Sequence, residues 1–179
     1  MKNTALLVVD VQNVLVLSKP FAVEEVIDNI KRLIKICREN NVEVIYVQHY
    51  DKVGGELEPN TEGWKIYKEI SPNADEKIIS KQYNSAFKET ALKEYLDNKG
   101  IDQLIITGMQ TEYCIDTTCK VAFEYGYKLI IPEKTNTTFN NGNVSSKDLY
   151  EFYNYNIFKD RFGIVDSVEK TIKMLINNA

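Results

Sequence analysis

"QLIITGMQTEYCID", residues 103–116, opens on an apolar run and closes on a cysteine. Leu104, Ile105, Ile106 and Thr107 read as a buried strand that stops at Gly108. Cys114 falls at the start of a helical pattern, with Thr118, Val121, Ala122 and Tyr125 on the same face and Gly126 at its end. A strand that runs through a glycine turn into a helix is half of a parallel βαβ unit. The cysteine in such a turn has two readings. It is packing, because free cysteine is among the most buried residue types, or it is a nucleophile held at the edge of a sheet.

The same alternation continues in both directions. Strand-like runs occur at 5–10, 42–49, 76–80, 103–108, 128–132 and 163–167. Between the first two, Val23, Val26, Ile27, Ile30, Leu33, Ile34 and Cys37 keep the spacing of an amphipathic helix. Ser85 is expected to cap a helix with Phe87, Leu92, Tyr95 and Leu96 on its buried face and Gly100 at its left-handed end. Asp166 and Glu169 are placed as a capping box for the last helix. Strands separated by helices require right-handed crossovers and a mostly parallel sheet. The expectation is one α/β domain over 1–179, a Rossmann-like three-layer sandwich with a six-stranded sheet between helices. Two irregular stretches, 51–75 and 133–146, are long enough to carry function.

Composition excludes several classes of function. A net charge of −4 argues against nucleic acid or an anionic membrane as partner. No run reaches the ~20 apolar residues of a membrane span, and the first apolar run is too short for a signal peptide. Three irregularly spaced cysteines make neither a disulfide framework nor a metal knuckle, which fits a reducing cytoplasm. The chain has one histidine, His49. A zinc site built on two or three histidines is impossible within one chain.

In open parallel sheets, ligands bind beyond the carboxyl ends of the strands. The first strand ends there in Asp10, followed by Gln12; the second ends in His49. The third runs into Lys81, and the fourth leads to Cys114. Each has an ordinary structural reading: Asp10 as a cap, Lys81 as a solvated loop lysine, Cys114 as core. Together at one edge they supply a carboxylate, an ammonium and a thiol. Lys81 and the helix start would both lower the thiol pKa. Asp10 would take its proton and later return it. Amides around Gln110 and Cys114 would hold an oxyanion. His49, Trp64, Phe87 and Tyr113, with Gln12, are candidate substrate-binding residues, whereas Cys37 and Cys119 lie on helical faces and read as inert.

"LLVVDVQN", the lysine after "KIIS", and "GMQTEYCID" resemble the three signature segments of the isochorismatase-like cysteine hydrolases, which include nicotinamidases and N-carbamoylsarcosine amidases. Similarity continues through "YVQHYD", "EGWKIYKEI", "NSAFKETALKEYL" and "DTTCKVAFEYGYKLIIP", in order and over nearly the whole chain. The resemblance implies Asp10 as proton shuttle, Lys81 as thiolate partner and Cys114 as nucleophile. It also implies a cis peptide at Met109–Gln110 and hydrolysis of a small amide-type C–N bond. Nicotinamidases of this family carry a metal site of one Asp and two His, which a single histidine cannot supply; no metal and no cofactor are expected. Relatives often have Asp-Ala after the fifth strand and His-Asn in the next helix, where this chain has Glu133-Lys134 and "FYNYNIF".

The expected partner is a small molecule. A homo-oligomer, dimer or tetramer, is also expected, with the tyrosine-rich "YEFYNYNIF" suited to an interface. Two alternatives differ in class. One is an isochorismatase-type hydrolase acting on a non-amide substrate, against which Cys114 itself argues. The other is a non-catalytic oligomeric scaffold of the same fold. A nucleotide-binding module is excluded, because no glycine-rich phosphate loop follows the first strand.

Overall fold

Every strand-like run becomes a strand in the computed structural model, which describes residues 3–177. The strands are β1 (Thr4–Val9), β2 (Glu43–His49), β3 (Lys77–Lys81), β4 (Gln103–Met109), β5 (Lys128–Pro132), β6 (Asn136–Thr137) and β7 (Ile164–Asp166). They form one parallel sheet in the order β3-β2-β1-β4-β5-β7, with β6 beside β4. The two-residue β6 was not expected from the sequence. It is too short for any period to show, and it pairs with Gly108 and Met109 where β5 has already diverged from β4.

Both faces of the sheet are covered. Ala5, Leu7 and Val9 join one core, and Leu6 and Val8 the other, as the two-residue period of a strand requires. The first core lies under α3 (Leu92–Asn98) and α4 (Asp116–Glu124). The second lies under α1 (Asn13–Leu17), α2 (Val23–Glu39) and α6 (Val168–Asn177). All seven apolar positions expected on α2 are buried.

Two local expectations need correction. Ser85 does not cap a helix: α3 begins only after Ala91, and Ser85 Oγ instead accepts from the Phe87 amide at 3.1 Å. The expected helix is shorter because residues 85–90 turn to bring Phe87 into the core against Tyr125 and Tyr127. Asp166 and Glu169 form no capping box. Asp166 pairs with Lys170 at 2.8 Å and accepts from the Ser167 amide at 2.8 Å, while Glu169 pairs with Arg32 at 2.9 Å; it is Ser167 Oγ that accepts from the Lys170 amide, at 3.4 Å. The "YEFYNYNIF" segment is divided: Tyr150 and Phe158 are core, whereas Phe152 and Tyr155 are exposed. It comprises the end of α5 (Ser146–Phe152) and a π-helical turn, Tyr153–Phe158.

The 51–75 stretch is latched onto the chain that follows β1. Asn13 and Val14 donate to the carbonyls of Lys65 and Gly63, and Tyr67 donates to that of Val11. Among the described residues no helix is long and apolar enough to cross a membrane.

Candidate active site

The strand order reverses between β1 and β4, and such a switch point opens a crevice at the carboxyl edge. Asp10 leaves β1 there with φ of +52°, a left-handed conformation that aspartate tolerates better than most residues. Its amide donates to Val47 O at 2.8 Å, and its carbonyl accepts from Gln12. Across the crevice Gly108 has φ of +120°, and a Cβ at this position would lie 1.9 Å from Val9 O. Only glycine lets the end of β4 come this close to the end of β1. Beyond it the Met109–Gln110 peptide is cis. The chain then enters a π-helical turn, Thr111–Ile115, in which the Gln110 carbonyl accepts from Tyr113 and Ile115 on either side of Cys114. Cys114 thus sits on this turn, just before α4.

Lys81, the last residue of β3, reaches beneath β2 to join them. Its ammonium lies 2.6 Å from Asp10 Oδ2 and 3.2 Å from Cys114 Sγ. It also contacts His49 Nδ1 and the Tyr83 carbonyl, each at 3.1 Å. Four acceptors surround three N–H bonds, so the ammonium is fixed on all sides. The three side chains singled out in the sequence meet at one point.

The electrostatics differ from expectation in one respect. Cys114 is not acidified: burial, then the Asp10 charge, push its thiol up to about 12, and Lys81 only partly opposes them. The lysine's charge is already shared with the nearer carboxylate, so it cannot also stabilise a resting thiolate. Burial pulls Lys81 down, but Asp10 and Cys114 outweigh it and hold the ammonium above the ordinary lysine value. Burial first, and Lys81 next, lower His49. A neutral imidazole that accepts from Lys81 at Nδ1 carries its proton on Nε2, which faces Asp51 at 3.5 Å.

A cavity of about 190 Å³ opens on Cys114, lined by Asp10, Leu15, His49, Leu57, Asn84, Met109, Gln110 and Tyr113. His49 and Tyr113, expected to bind substrate, do line it. The other three are not among its lining residues. Gln12 is wholly buried and donates to the carbonyls of His49 and Trp64 while accepting from the His49 amide, so it positions the wall from behind. Phe87 is core, stacked 5.9 Å from Tyr127. Trp64 contributes its carbonyl to Gln12 and Gln48. Sequence reasoning missed Leu15, Leu57 and Asn84. Asn84 had a usable signal, since it follows Lys81 by three residues off the same strand end. The leucines had none: Leu15 arrives on the short helix Asn13–Leu17 and Leu57 on the 51–75 loop, and the sequence does not fix where either is placed.

The isochorismatase domain model matches residues 4–167, which takes in Asp10, Lys81, Cys114 and every residue lining the cavity. The chain belongs to the isochorismatase family. It is 31% identical to a streptothricin hydrolase of Streptomyces noursei over 75% of this chain and 50% of that protein. It is 29% identical to Nicotinamidase 3 of Arabidopsis thaliana over 78% of this chain and 75% of that one. A solved isochorismatase of Pseudomonas putida KT2440 superposes with a TM-score of 0.89 at 26% identity, covering 94% of this chain and 90% of the other. The chain thus spans about half the length of the streptothricin hydrolase that it matches.

A divalent ion does not fit at the centre of this site. One ligand atom each from Asp10, His49 and Cys114 lies within 4.8 Å of the others, which is a metal-sized spacing. Yet the Lys81 ammonium already contacts all three side chains. A divalent ion at bonding distances of about 2.0–2.3 Å would have to displace it. In this isochorismatase-family site the central cation belongs to the chain.

Proposed function

We propose that the chain is a cysteine hydrolase that cleaves a small amide-type C–N bond through a thioester on Cys114. The observation that carries this reading is the Lys81 ammonium bridging Asp10 and Cys114 at 2.6 and 3.2 Å beside a small cavity. As Cys114 Sγ attacks the carbonyl carbon, its proton passes to Asp10, and Lys81 gains a thiolate partner while its carboxylate partner is neutralised. The amides of Gln110 and Cys114 hold the resulting oxyanion. On collapse the C–N bond breaks and Asp10 gives the proton to the departing amine. Asp10 next deprotonates water, which attacks the thioester; the C–S bond breaks and the thiol is restored. Asp10 Oδ1, buried and without a hydrogen-bond partner among the described residues, is the oxygen left open for that proton.

The cavity supports a small, uncharged acyl group. Leu15, Leu57 and Met109 offer apolar walls, and His49, Asn84 and Tyr113 offer neutral polar contacts. Hydrolysis agrees with a relative named a streptothricin hydrolase, and the amide-type bond with one named a nicotinamidase. We also take the chain to work as a homo-oligomer, with Phe152 and Tyr155 among the aromatics free to pack; a monomeric mass by light scattering would count against that. The function is tested by ammonia release from a panel of small uncharged amides, with mass analysis of quenched enzyme. An acyl adduct on the Cys114 peptide is expected. Turnover without an adduct, undiminished in Cys114→Ala, overturns the mechanism.

A further inference from the structure

Thr111, the first residue of the turn that carries Cys114, is fully buried, and its hydroxyl donates to Asn136 Oδ1 at 2.8 Å. Behind it stands a reciprocal amide pair. Asn136 Nδ2 donates to Asn154 Oδ1 at 2.8 Å, and Asn154 Nδ2 donates back to Asn136 Oδ1 at 3.0 Å. Asn154 Nδ2 also donates to Tyr150 O at 2.8 Å. Both asparagines are wholly buried and neither lines the cavity.

This arrangement is over-determined. Turning either amide would set N–H₂ against N–H₂ and leave buried groups unpaired, at a cost of about 1–3 kcal/mol each. With both amides locked, Asn136 Oδ1 is fixed as an acceptor, and the Thr111 hydroxyl has one direction in which to donate. Asn136 is at the same time the β6 residue paired with Gly108, so one short strand grips the end of β4 by its backbone and the following turn by a side chain. Apolar packing could fill the same space, but it would not set the rotation of the Thr111 peptide.

We propose that Asn136 and Asn154 are positioning residues for the oxyanion site: through Thr111 they hold the turn so that the Gln110 and Cys114 amides converge on one oxygen. The proposal rests on the thioester reading above. Donors of this kind must be held within about 0.5 Å of their working geometry, which loop backbone alone rarely achieves.

Propionaldehyde is a suitable probe. The Cys114 sulfur bonds to its carbonyl carbon as the C=O π bond opens, and the thiol proton moves by way of Asp10 to the oxygen, giving a hemithioacetal whose oxygen lies where the oxyanion would. Binding is read as protection of the Cys114 peptide from iodoacetamide. In Thr111→Val, which keeps the shape but loses the hydroxyl, aldehyde affinity should fall at least about fivefold, with alkylation in the absence of aldehyde within about twofold of wild type. Thr111→Ser should behave as wild type. The proposal is overturned if Thr111→Val keeps its aldehyde affinity, or if affinity and alkylation fall together, which would mean a loosened fold. If Thr111→Val does not fold, Asn154→Asp reads the pair from its far side, and unchanged affinity there overturns it equally. A wild-type protein that propionaldehyde does not protect sinks the thioester reading itself, and this proposal with it.

Discussion

The Lys81 ammonium lies 2.6 Å from Asp10 Oδ2, with the two side chains only 0% and 3% exposed. Removing one partner of such a pair strands the other charge away from water, which costs about 3–5 kcal/mol. Lys81→Ala should therefore lose stability on that scale as well as turnover. Urea denaturation checks the first; a midpoint within error of wild type would mean that water already screens the pair.

Asp10→Asn should separate acidity from catalysis. Burial and then Asp10 raise the Cys114 thiol, and Lys81 lowers it. Without the carboxylate burial remains, but no charge opposes the lysine, so iodoacetamide should label Cys114 at pH 7 at least about tenfold faster than in wild type, one pKa unit being tenfold in thiolate. Amide turnover should be lost in the same protein, because the proton shuttle is gone. Slower labelling than wild type would contradict the assigned balance of charges.

Stability should fall at alkaline pH. Cys114 is pushed from an ordinary 9.0 up to about 12, and burial does the same to Cys37. Below pH 9 both thiols are protonated, folded or unfolded, and pH has no leverage through them. Between pH 9 and 12 the unfolded chain releases protons that the fold retains, so stability drops as pH rises and the contribution is gone above the folded value. Cys114→Ala should show a shallower fall in melting temperature between pH 8.5 and about 11. Parallel curves would show that Cys114 ionises freely in the folded protein.

Gly108→Ala should be among the most damaging single changes. The added methyl would lie 1.9 Å from a backbone oxygen of the central strand, which cannot turn aside, and φ at this position is +120°. A loss of about 3 kcal/mol is expected. Thermal melts check it; a shift of under a degree would mean that the two strand ends can part cheaply.

What was legible in the sequence was whatever leaves a period or a type. The face of α2 and the six strands showed because burial repeats along them. Asp10, Lys81 and Cys114 showed because three reactive residues end at one sheet edge. Gln12 reads as a ligand contact in the sequence, while in the structure it braces the His49 backbone, since side-chain direction at a strand end is set by neighbours far away in the chain. The Asn136–Asn154 pair had no local signal: its meaning lies in a contact across 18 residues. The state of the thiol was misjudged for a related reason. How deeply the thiol is buried, and which of two opposite charges prevails, depend on distances that a sequence does not contain.

Lys81 lies between a carboxylate and a neutral thiol. During acylation a proton moves from sulfur to oxygen around a fixed positive charge, and the sum of charges inside the pocket is zero before and after. An uncharged amide brings none of its own. The rate should therefore be nearly indifferent to dissolved electrolyte, because the ion atmosphere outside has no change of charge to respond to. Such a pocket would work alike in dilute and in concentrated surroundings.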